Sequence, residues 1–136
     1  MGQQQLLLLV IGVVLVGVAV IAGWYAADHG LRQNDADVII GRCLTIATDA
    51  VFWKAKTDPY SGGNAQYSGL ASGGMATLFL GEETDTGTFQ ITDATSNKLE
   101  ITAVSKRYPE IGVRVTVIGD EIVNTEVDYD GGITLP

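Results

Sequence analysis

The sequence predicts an α+β fold: a long N-terminal helix, apolar in its first half and amphipathic in its second, packed on a four- to five-stranded antiparallel meander. Three observations carry this expectation. Leu6 to Tyr25 contains no charged side chain and no side-chain amide. Beyond it apolar residues keep a helical period as far as Trp53, and no proline interrupts the chain before Pro59. After Met75 come short β-branched segments separated by turn residues.

The apolar run matches the ~20 residues that a helix needs to cross a hydrocarbon core. In lipid or in an equally dry protein interior its backbone groups must bond within the segment, so the run must be helical there. Trp24 and Tyr25 mark one interface. A cleaved secretory signal, a membrane anchor and a packing stem all fit such a run, but Met1 to Gln5 carries no Lys or Arg, which weighs against the signal. Asp28, Asp35 and Asp37 outnumber Arg32 just after the run, and this charge pattern favours translocation of the bulk of the chain.

Leu31, Val38, Ile39, Ile46, Ala50 and Trp53 form the expected stripe of the second half-helix, with Asp28, Arg32, Asp35, Arg42 and Asp49 opposite. Gly30 and Gly41 are possible break points. Domain boundaries follow: a stem over 1–27 and a globular part over 28–136. The latter divides into a half-helix at 28–56, a Gly/Ser-rich loop at 57–75, and sheet and tail at 76–136. Strands are expected at Ala76 to Leu80, Thr88 to Thr92, Lys98 to Lys106, Gly112 to Ile118 and Glu121 to Tyr129. Leu99, Ile101 and Ala103 share a face, as do Val113, Val115 and Val117, and Val123, Val127 and Tyr129. Gly119-Asp120 is a two-residue hairpin signal. The apolar sheet face needs a cover, and the half-helix is the candidate.

With 136 residues there is room for one modest domain beside the stem, and a formal net charge of −8 argues against nucleic acid. Cys43 is the only cysteine and His29 the only histidine. An intrachain disulfide, a CxxCH haem site and a His-based triad within one chain are therefore excluded. No nucleophile lies beside a base, so the chain reads as a non-enzyme without a cofactor.

The order of these parts resembles a type IV pilin over the whole length: the lead MGQQQLLLLVIGVVLVGVAVIAG, the amphipathic continuation to Trp53, the loop Thr57 to Met75, and the strands to Tyr129. The resemblance implies a structural subunit of an extracellular filament that polymerises through its helix. It implies a passage through the inner membrane, a homo-oligomeric helical polymer, and an assembly machinery as partner. Lipid would cover the apolar half-helix before assembly and neighbouring copies afterwards. Core packing then falls to Leu7, Leu9, Val13, Val16, Val20 and Trp24, close approaches to Gly12 and Gly17, and terminal contacts to Gln3, Gln4 and Gln5. The family's usual glutamate at the fifth mature position is Gln5 here, counting from Met1, and Leu7 if cleavage follows Gly2. The basic leader end and the C-terminal disulfide loop of the family are missing. The alternative is a single-pass anchored protein with a small extracytoplasmic sensing or binding domain; a minor pilin-like component of a secretion or DNA-uptake machine shares the fold.

Among single residues, Asp128 and Asp130 in EVDYDGG are calcium candidates, because hard cations want clustered oxygens on a tight turn. An acidic strand end that discourages sheet-to-sheet pairing is the plainer account. Cys43 is expected to be a buried small residue, with an intersubunit disulfide as the sharper alternative. Trp24, Tyr25, Phe52 and Trp53 read as interface anchors and core.

Overall fold

The computed structural model describes residues 2–58, 60 and 62–136. It comprises two compact units, one reaching to Gln33 and the other running from Asn34 to Pro136. Helix α1 spans Gly2–Ala55. Gly30 and Gly41 do not interrupt it, since the loss of about 1 kcal/mol at each is small beside the packing and hydrogen bonding of so long a helix.

In the first unit every described residue from Gly2 to Ala27 is exposed. Arg32 Nε pairs with Asp28 Oδ2 at 3.2 Å, one helical turn apart.

The second unit holds the core. Its sheet is a meander in the order β1 (Gly87–Ala94), β2 (Lys98–Ser105), β3 (Gly112–Ile118) and β4 (Glu121–Asp128), all antiparallel. In register, Ile101 faces Val115, Leu99 faces Val117 and Ala103 faces Val113, so the alternating side chains of both central strands fall on one face. The covering stripe of α1 is Ile39, Cys43, Ile46, Ala47, Ala50 and Trp53, and these close the core with Phe89 and the central strands. Leu31 and Val38 were expected on that stripe but are half exposed, at 49% and 45%. Cys43 and Ala47 instead lie on the line set by Ile39, Ile46 and Ala50, and small side chains there let the helix approach the strands.

Two further expectations are corrected. Ala76 to Leu80 is not a strand: Gly74–Thr77 forms one helical turn, α2, because its run lacks alternation and Gly74 lies flush against the Ile91 side chain, where a Cβ would meet it at 2.7 Å. The Gly/Ser-rich loop at 57–75 contains a 3-10 turn at Ser68–Leu70 and buries Tyr67, Leu70, Gly74 and Met75. In β4 the pairing shifts between Thr116 and Val117, so that Ile122, not Val123, comes opposite Val117. That irregularity breaks the predicted Val123–Val127–Tyr129 face. β4 is an exposed edge strand in which only Val127 and Asp128 are half buried.

The loop after α1 explains its own composition. A Cβ at Gly63 or Gly69 would lie 2.7 Å from the Trp53 ring, so only glycine lets the backbone lie against the indole. The hairpin between β3 and β4 turns at Gly119, whose φ of 66° suits a primed two-residue turn.

Candidate functional site

Helical geometry sorts the stem residues. Leu9, Val13, Val16, Val20 and Trp24 follow one another at spacings of four, three, four and four, which places them on one side of α1. Leu7 precedes Leu9 by two positions and so lies about 200° away around the axis. The remaining circumference is apolar as well: Leu8, Val10, Val14, Leu15, Val18 and Ile21 are all at least half exposed. Among the described residues nothing beyond the adjacent residues and the helix's own backbone comes within 4 Å of a Cβ built at Gly12, Gly17 or Gly23, so no packing contact among them requires glycine there. Gln3, Gln4 and Gln5 form the exposed first turn of the helix, and Met1 lies outside the described residues. The helix is long and apolar enough to cross a membrane.

The globular unit is closed by polar contacts that the sequence did not signal. Lys54 Nζ donates to Asp120 Oδ1 at 2.9 Å and to the Gly119 carbonyl at 3.1 Å. Tyr67 Oη donates to the same carbonyl at 2.6 Å, and the Lys54 ammonium lies 4.9 Å from the Tyr67 ring centre. One lysine and one tyrosine thus join the end of α1, the glycine-rich loop and the β3–β4 hairpin. Burial first, and then the Asp120 carboxylate, push the Tyr67 hydroxyl above its ordinary pKa and keep it a donor. Near the start of this unit Ser105 Oγ donates to Asp35 Oδ2, and the Tyr108 amide donates to Ser105 Oγ at 3.1 Å. Asp35 was placed on the polar side of the helix, and this hydrogen bond is how a carboxylate sits beside the sheet.

On the sheet face away from α1 charges alternate across strands. Lys98 pairs with Asp93 at 3.2 Å, and Arg114 lies 3.5 Å from Glu100 and 3.8 Å from Glu126. These are half-exposed pairs that fix register more than they add stability.

The calcium candidates have another use. Asp128 accepts the Asp130 amide at 3.1 Å on Oδ1 and the Gly132 amide on Oδ2, so its carboxylate closes the turn into the tail. Among the described residues no three or more His, Cys, Asp or Glu side chains gather in a metal-holding group. Cys43 is fully buried, and burial pushes its thiol up to about 12, which keeps it protonated and unreactive. His29 is exposed.

The uncovered stem is therefore the feature that most needs a functional account. A chain that leaves so much apolar surface in water is incomplete without lipid or protein around it. No family model, no curated protein and no solved structure matches the chain.

Proposed function

We propose that this chain is a structural subunit of an extracellular, type IV pilus-like filament, held in the inner membrane by its stem before assembly and polymerising through that stem. The observation that carries the reading is that α1 joins, without an intervening loop, a half that is exposed and apolar all round to a half that is covered by the chain's own sheet. A helix apolar on every side is stable only where every side is covered. Lipid meets that need before assembly and several neighbouring stems meet it afterwards, with van der Waals packing as the cohesive force. An assembly machinery and identical copies are the partners this reading requires, and it assigns the chain no chemistry.

The test is electron microscopy of material sheared from producing cells, with mass spectrometry of the purified fraction. Uniform thin filaments with this chain as their main component are expected. If the chain stays in the membrane fraction and no filament contains it, the stem is an anchor and the filament reading falls.

A further inference from the structure

The C-terminal turns of α1 and the short helix α2 border a cleft of about 300 Å³. Its walls carry three aromatic rings, Phe52, Trp53 and Phe79, and three polar side chains, Asp49, Lys56 and Thr77. Phe79 is the unusual member. The residue is 93% exposed, so the core gains almost nothing from it. Its φ of 58° is a backbone state that a bulky L-residue adopts only against steric resistance. The position ends α2, with the Leu80 amide donating to the Met75 carbonyl at 2.9 Å and the Phe79 amide to the Ala76 carbonyl at 3.0 Å. Glycine is the usual occupant of a helix end so bonded. Neither burial nor backbone preference selects phenylalanine here, and strain of this kind concentrates at binding positions. Phe52, 67% exposed, is a second ring kept out of the core. Trp53 is almost wholly buried, and its Nε1 has no hydrogen-bond partner among the described residues.

The chemistry of the walls narrows the ligand. Asp49 can only accept and Lys56 can only donate, and their opposite charges leave no preference for a ligand of either sign. A hydroxyl does both, so a neutral polyol can use both groups. The rings offer flat apolar faces to C–H groups. Its walls come from α1, α2 and the turn that ends α2, so this cleft presents no strand edge for main-chain recognition of a peptide. Its size lies at the small end of small-molecule sites. We propose that this cleft binds a neutral sugar, its C–H face against Phe52 and Phe79 and its hydroxyls on Asp49, Lys56 and Thr77. The site belongs to the globular unit and does not depend on what covers the stem.

Saturation-transfer NMR on the full chain tests it, in a detergent without a sugar headgroup. The probes are glucose, galactose, N-acetylglucosamine and the β-linked disaccharide of each. Transfer to ring protons is expected from at least one probe below about 20 mM, weakened about tenfold or more by Phe79→Gly and by Phe52→Ala and retained in Phe79→Tyr. Thermal unfolding of Phe79→Gly no lower than the parent's separates lost binding from lost fold. Absence of transfer from all six probes overturns the proposal, and so does transfer that both ring-deleting variants leave unchanged. If Phe79→Gly alters self-association and not sugar transfer, the cleft is a contact between copies and the proposal is likewise overturned.

Discussion

The two halves of α1 share a secondary structure and differ in what covers them. Between Asn34 and Ala55 the apolar stripe is one-sided, and the chain brings its own cover: Ile39, Cys43, Ile46 and Ala50 are fully buried with β2 and β3. Between Leu6 and Tyr25 the apolar surface goes all the way round and none of the described residues covers it. A one-sided helix needs one sheet. An all-round apolar helix needs an environment, so the first half is a statement about surroundings and the second about folding.

The largest effect should come from charging the stem at its middle. Val16→Asp places a carboxylate whose insertion costs about 2.5–3.5 kcal/mol at mid-helix. Loss of the chain from both the membrane and sheared-filament fractions is expected, while the unfolding transition of residues 34–136 stays where it was. Normal filaments from this variant would break the comparison at its centre.

Next in size is the mirror experiment. Ile46→Ala should lower thermal stability by about 2–5 kcal/mol, because the site is fully enclosed. Val16→Ala should leave that transition unmoved, and equal shifts for the two would show that the stem is part of the same cooperative unit.

Glycines give a finer contrast. Gly69→Ala puts a Cβ 2.7 Å from the Trp53 ring and should cost about 1–3 kcal/mol in denaturant unfolding. Gly12→Ala meets no packing neighbour within 4 Å among the described residues and should favour the helix by about 1 kcal/mol. A loss of assembly by Gly12→Ala would therefore report a close contact with a neighbouring copy.

Two smaller effects concern the globular unit alone. The Cys43 thiol has a folded pKa of about 12 against an ordinary 9.0, so the unfolded chain releases its proton first as pH rises. That contribution is fully present below pH 9 and is lost between there and about pH 12. Alkaline denaturation of the parent and of Cys43→Ala measures it, and the variant should show the shallower pH dependence. Phe79→Gly relieves a left-handed backbone and should stabilise by about 1 kcal/mol, seen as a rise of a few degrees in the unfolding midpoint. A fall would mean that the ring packs in a way its 93% exposure does not suggest.

Periodicity made the helix and the four-strand meander legible, since a period of 3.6 around Ile39, Ile46 and Ala50 and a period of two along Leu99, Ile101 and Ala103 are local signals. The face of β4 was misjudged because a bulge moves the alternation by one, and nothing in EIVNTEVD announces an extra residue. Ala76 to Leu80 reads as a strand because a short apolar run does not declare its period. The order in the glycine-rich loop was hidden for another reason: Gly63 and Gly69 look like flexibility until Trp53 is seen against them. The tie from Lys54 and Tyr67 to the Gly119 carbonyl joins residues up to 65 positions apart, beyond any local pattern. Exposed rings at Phe52 and Phe79 gave no sign in the sequence, where an aromatic beside apolar neighbours reads as core.

Sequence by itself determined that the first half of α1 is apolar on every side and that the second half has one face to bury, because composition and spacing fix which side chains a helix presents where. Tertiary structure alone decided which residues fill that face, how the loop seats on Trp53, that Asp128 closes the tail turn, and that Phe79 is held left-handed in solvent. Those outcomes depend on contacts between distant segments, and the free energy of such a contact is set by the geometry of both partners together.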